Sequence, residues 1–123
     1  MKIQIDKYDG LVLPYRDNYF ERVISSLVFH HLHVEQKRNS LKEIKRVLKL
    51  GGELHIADFG KSKNFLMRLA FYQVQLLDGF STTTDNVKGL LPIYLNEAGF
   101  KDVRETKTYN TVFGTLSLYR ARK

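Results

Sequence analysis

The chain has 123 residues, 43% of them hydrophobic and 27% charged, with 8 Phe and 7 Tyr, which suffices for a single domain (1–123) with its own core. No run approaches the roughly 20 apolar residues that span a bilayer, no apolar stretch of the kind a secretory leader needs follows Lys2, and with no cysteine there is neither a disulfide framework nor a thiolate metal site. The expected compartment is a reducing cytoplasm. The net charge of +7 admits a nucleic-acid partner, but the basic residues are dispersed with no block of five, so an unspecialised basic surface is favoured.

In chain order, Ile3 and Ile5 alternate with polar residues before the turn pair Asp9-Gly10, which predicts a short strand. Leu11 to Leu13 runs extended into Pro14. The run from Val23 to Val28 is apolar or small without alternation, as in a strand covered on both faces. A helix is predicted from Val34 to Lys49, with Leu41, Ile44, Val47 and Leu48 as its apolar stripe and Gly51-Gly52 as its stop. Leu54 to Asp58 is a second buried strand. Asn64 to Leu77 reads as a helix that is apolar almost all round. A further helix, capped by Thr84 or Asp85 and kinked by Pro92, runs to Glu97. Lys101 to Thr108 and Thr111 to Arg120 predict an antiparallel hairpin turning at Tyr109-Asn110. The fold class is α/β, with a sheet parallel at its centre and antiparallel at one side.

The segment Asp9-Gly10-Leu11-Val12-Leu13-Pro14-Tyr15-Arg16-Asp17, continuing to Val23-Ile24, resembles a motif of class I S-adenosylmethionine-dependent methyltransferases, in the ubiquinone and menaquinone branch. Ser25 to Leu32, Glu43 to Asp58 and Asn96 to Phe100 resemble three more motifs of that family, in the same order. Glu21 and Leu50 replace the usual Asp and Pro. The resemblance implies a partial Rossmann-like sheet and S-adenosylmethionine as cofactor. In the family a strand, a glycine-rich loop, a helix and a carboxylate-bearing strand come first, and they have no counterpart ahead of Ile3. Binding by this chain alone is therefore expected to be weak.

By the same resemblance, Asp9 accepts from the adenine amino group, Gly10 brings its backbone to the ring, Leu11 covers the ring face, and Ser26 and Leu27 line the methionine side. The acceptor is expected to be a small apolar molecule. His31 is the candidate general base for a hydroxyl acceptor. No metal site is expected, since adjacent histidines should diverge, and His55 reads as a satisfied residue in mid-strand. Arg38, Lys42, Lys45 and Lys49 share one helix face, read as solvated. The empty strand slot beside Val23–Ser26 is either filled by Lys2–Ile5 or left as an open edge, a template for pairing with another chain. A homodimer, a swapped arrangement or a second polypeptide carrying the missing half is the expectation. The competing readings are a non-catalytic interaction module and an RNA-binding or RNA-modifying subunit.

Overall fold

A computed structural model describes residues 3–123, without the side chains of Ser81, Asp85 and Val87. Four strands form one sheet: β1 (Phe20–Ser26), β2 (Leu48–Phe59), β3 (Lys101–Thr111) and β4 (Gly114–Arg122). Their order is β1-β2-β4-β3, with β1 parallel to β2 and β4 antiparallel to both of its neighbours. The parallel pair requires a crossover, supplied by α1 (Val34–Val47). Three helices, α2 (Phe65–Asp78), α3 (Phe80–Val87) and α4 (Leu91–Glu97), separate β2 from β3. The sheet is the mixed α/β sheet expected.

The core forms where the apolar stripe of α1 and helix α4 meet the sheet. Leu41, Leu48, Leu54 and Leu95 are fully buried there, with Tyr119 and Ala121 of β4. A smaller cluster, Phe59, Phe71 and Val74, seats α2. The rest of α2 is bare: Phe65, Leu66, Leu76 and Leu77 are each more than two-thirds exposed.

Several boundaries differ from the sequence expectation, each for a local reason. Ile3 to Ile5 is not a strand; both isoleucines are exposed. A strand needs a neighbouring ladder, and none lies beside this segment among the described residues. Lys2, the other end of the segment expected to fill the slot next to β1, lies outside them.

Helix α1 ends at Val47, not at Lys49, and passes directly into β2 because Leu48 is extended (φ −74, ψ 139) and buries its side chain. Gly51-Gly52 lies within β2, where the register jumps from Phe20↔Leu48 to Arg22↔Glu53. The bulge requires these glycines. Gly51 has φ +76, and a Cβ on Gly52 would lie 2.8 Å from the Lys49 carbonyl oxygen. Lys49 is thus a strand residue, paired with Glu21 at 3.6 Å.

The single helix expected from Thr84 or Asp85 to Glu97 is two helices. Thr84 sits inside α3, its Oγ1 donating to the Phe80 carbonyl. Gly89 at φ +71 separates α3 from α4. Pro92 opens α4 in its first turn, where a missing N–H is tolerated. The hairpin turns at Val112-Phe113, not Tyr109-Asn110. Thr111 Oγ1 donates to the Gly114 carbonyl at 2.7 Å and accepts from Phe113 N at 3.1 Å, and Phe71 presses so closely on Gly114 that a Cβ there would meet it at 3.0 Å.

The irregular segment from Ile3 to Tyr19 is held to α1 by side chains. Glu43 and Arg46 form a two-point pair (3.0 and 2.9 Å), and both reach the segment. Glu43 accepts from Leu13 N at 2.7 Å, while Arg46 donates to the carbonyls of Leu13 and Tyr15 and to Asp17. Asn39 donates to the carbonyls of Gly10 and Leu11, each at 2.9 Å.

Hydrogen bonds from Arg46, then from Leu13 N, hold the Glu43 carboxyl below its usual value of 4.5. Its contribution to stability is therefore complete above the ordinary glutamate range and disappears as pH falls through the lowered folded-state value. Replacing Glu43 by Gln should flatten that acid limb. Urea midpoints measured from about pH 7 down to about pH 3 should fall less steeply in Glu43→Gln than in the parent, from a lower starting stability.

Candidate cofactor and acceptor site

Ligands of open α/β sheets bind beyond the carboxyl ends of the parallel strands, here the ends of β1 and β2. A cleft of about 410 Å³ opens beside β1. Tyr8, Asp9 and Gly10 form one wall, Val23 and Ser25 of β1 the floor, and Ser40 of α1 the other side. Tyr8 closes across to Ser40 by a hydroxyl–hydroxyl bond of 3.3 Å.

Asp9 builds its own turn. Its Oδ1 accepts from Leu11 N at 2.8 Å and from Val12 N at 3.0 Å, an Asx turn that lets Gly10 adopt φ +85. Those two bonds, that from Leu11 first, lower the Asp9 carboxyl below its ordinary value. The carboxylate's other oxygen carries neither bond. Of the five candidate cofactor residues, Asp9 and Gly10 line the cleft; Leu11, Ser26 and Leu27 do not. Leu11 is 66% exposed, and Ser26 is exposed at the end of β1. Leu27 holds a left-handed conformation (φ 56) with its N–H donating to the Ala57 carbonyl at 2.8 Å.

Beyond Leu27 a 3-10 turn, Phe29–His31, carries the first two histidines. Adjacent histidines were expected to diverge; this pair does not, since the tight turn brings the His30 and His31 rings to 3.9 Å between centroids. His31 is half exposed, with Nδ1 3.6 Å from Asp78. His30 is buried, and its Nδ1 meets Asp58 Oδ1 at 2.8 Å. Asp58 is fully buried at the end of β2 and also accepts from Phe29 N and Phe59 N. His33 begins α1, where its N–H donates to Gln36 at 2.9 Å. His55 lies on the sheet with Nε2 2.9 Å from Glu53, the satisfied face residue expected.

Two buried groups escaped the sequence reading. Asp58 closes an otherwise apolar strand end, a position where an acid needs a donor. Lys37 is also fully buried, donating to the Thr82 carbonyl at 2.9 Å and to Asn86 at 2.7 Å. Its position between Val34 and Leu41 on the apolar stripe marked it as inward-facing. The basic face is not a free stripe: Arg38 pairs with Glu97 at 3.2 Å and lies over the Tyr94 ring.

A larger, shallower groove of about 570 Å³ runs between the start of α2 and the β3–β4 turn. Met67, which lines it, is 11 residues from Asp78, roughly 16 Å along the helix. This groove is remote from the histidine turn.

Comparisons with known proteins agree with this architecture. Residues 2–56 match a family model described as a methyltransferase domain. A demethylmenaquinone methyltransferase of Corynebacterium glutamicum is 39% identical over 94% of this chain, which spans 56% of that protein. The human protein named "Probable tRNA methyltransferase 9B" is 47% identical, over 39% of this chain and 11% of its own length. Among solved structures, a SAM-dependent methyltransferase of Thermotoga maritima superposes with a TM-score of 0.72 at 18% identity, over 98% of this chain and 64% of its own. A methyltransferase in complex with the Haloferax volcanii Trm112 methyltransferase activator gives 0.64 at 18% identity, over 94% and 58%. These likenesses support a class I S-adenosylmethionine-dependent methyltransferase domain, and the chain spans a little over half the length of the corynebacterial relative. S-adenosylmethionine is the cofactor expected of that family. No helix among the described residues is long and apolar enough to cross a membrane.

A leucine in the left-handed region is strained by about 1–2 kcal/mol. The Leu27 side chain is 46% exposed, so its removal loses little burial. Leu27→Gly should leave thermal stability unchanged or raised, whereas β-branched Leu27→Val should lower it by about 1–2 kcal/mol. Paired melting curves of the two variants check this.

Proposed function

We propose that these 123 residues form the adenine-side and acceptor-side part of a methyltransferase acting on a small apolar acceptor. The observation that carries the reading is the Asp9-Gly10 turn, fixed against α1 over a cleft at the carboxyl end of β1. The second Asp9 oxygen accepts from the adenine amino group, and the Gly10 backbone, without a Cβ, lets the ring approach. The histidine turn, with His31 foremost, meets the acceptor. When bound, S-adenosylmethionine supplies an electrophilic methyl group on its sulfonium, and the protein's task is alignment of donor and acceptor. The exposed apolar face of α2 supports an apolar acceptor. The likeness to the tRNA methyltransferase covers 39% of this chain and says nothing of an RNA acceptor.

No glycine-rich loop and no ribose-binding carboxylate stand among the described residues, so the adenine end fits and the rest needs further chain. That chain, in the same polypeptide or a second one, joins at β1. Ile24 is 77% exposed there, and no strand flanks β1 on its outer side among the described residues. A second copy pairing at the same edge is the alternative assembly.

Calorimetry with S-adenosylhomocysteine tests the reading. The 123-residue chain alone should bind at about millimolar strength or weaker. Adding a polypeptide carrying the glycine-rich strand–loop–helix that the family resemblance implies should tighten binding by roughly a thousandfold. Asp9→Ala should then lose about tenfold or more. No gain on adding the module, or tight binding indifferent to Asp9→Ala, contradicts the reading.

A further inference from the structure

The groups around the histidine turn form a second arrangement, independent of whether the cleft binds a nucleotide. His30 Nε2 lies 3.4 Å from Asp78 Oδ2, and His31 Nδ1 lies 3.6 Å from the same oxygen. All three ligand atoms lie within 4.8 Å of one another. Zinc bonds of about 2.0–2.2 Å make the edges of its tetrahedron roughly 3.3–3.6 Å. Two of the three separations are such edges.

The tautomer of His30 follows from its neighbours. Asp58 takes backbone N–H bonds on both oxygens and, as a carboxylate, can only accept. The His30 Nδ1 beside it is therefore the donor, and its Nε2 faces Asp78 Oδ2 across 3.4 Å. A proton on Nε2 or a cation held between the two atoms would satisfy that contact, and the geometry accommodates the cation. A buried carboxylate orienting a histidine from behind is the usual support of a histidine metal ligand. Phe59 fixes the same ring from the side, edge-on at 5.1 Å.

Asp78 adds a separate electrostatic reason. It is the last residue of α2, whose last turn contains no basic residue. The negative end of the helix dipole disfavours an acid there, and a cation at the histidine turn would offset both charges.

We propose that His30 Nε2, His31 Nδ1 and Asp78 Oδ2 form a binding site for a divalent transition-metal cation of zinc's class, with Asp58 positioning His30 from behind. Three protein ligands leave one position open. His31 is 54% and Asp78 26% exposed, so that position faces solvent and is accessible to an acceptor's oxygen. Two imidazoles and one carboxylate select zinc, cobalt or iron over magnesium or calcium.

Titration of the 123-residue chain with Co²⁺, followed by the visible absorption of tetrahedral cobalt, tests the site, with Zn²⁺ displacing the signal. Saturable one-to-one binding is expected. His31→Ala and Asp78→Asn should each weaken it at least tenfold, and Asp58→Asn by about 10–100-fold. His33→Ala and His55→Ala should leave it unchanged, and far-ultraviolet circular dichroism should show every variant folded. His31 is half exposed and Asp78 only part-buried, which keeps the test valid even if Asp58→Asn fails to fold. Absence of a cobalt band, or binding indifferent to both His31→Ala and Asp78→Asn, overturns the site. So does nitrogen-resolved NMR showing His30 doubly protonated and unmoved by Zn²⁺, since a proton would then occupy the place assigned to the metal.

Discussion

The loop that walls the cleft of this molecule depends on the Glu43–Arg46 pair. Seventeen residues ahead of β1, from Ile3 to Tyr19, have no helix or strand of their own. Without regular structure their backbone groups need partners elsewhere. Glu43 and Arg46, one helical turn apart on α1, supply a carboxylate acceptor and a five-donor fork facing the same way. Asn39, one turn earlier, grips two consecutive carbonyls, Gly10 and Leu11, within the Asp9 turn. The spacing Asn39, Glu43, Arg46 is that of one helix face, so a single rigid element orders the loop that forms the cleft wall. The glutamate–arginine motif that links this sequence to methyltransferases thus has a physical task here: it docks a loop.

The sheet divides its two sides unequally. Against α1 and α4 it buries a continuous core from Leu41 to Tyr119. Beside β1 the order of strands stops, and β1 keeps an exposed isoleucine at its middle. Helix α2 likewise sinks only Phe71, Val74 and Gln75 and leaves a row of large apolar side chains bare. Exposed edges and large exposed apolar patches mark places where further chain or a ligand belongs. The open edge of β1 borders the cleft, which Ile24 helps to line.

The sequence made the buried strands, α1, α2 and the hairpin legible because their hydrophobic runs are long and unbroken. It misplaced what is decided by contacts across the fold. Gly51-Gly52 reads locally as a helix stop, yet the pair is required by a bulge against Glu21. Tyr109-Asn110 reads as a turn, yet Thr111 and the close approach of Phe71 to Gly114 move the turn onward. Ile3 to Ile5 alternates like a strand but has no ladder to join. At the site, Asp9 and Gly10 were legible because a turn is a local structure. The His30–Asp58 contact joins residues 28 apart, and no spacing rule in one sequence could pair them.

The claim at the centre is that α1 holds the Asp9 turn as the adenine end of a nucleotide site. Amide shifts in a nitrogen-15 NMR titration with adenosine, which lacks the methionine that other elements would bind, measure this directly. Weak, saturable perturbations should concentrate at Gly10, Leu11, Val12 and Ser25 and vanish in Asp9→Ala while the rest of the spectrum is retained. A folded protein whose Asp9 turn ignores adenosine, or one that binds it only along α2, would contradict the account.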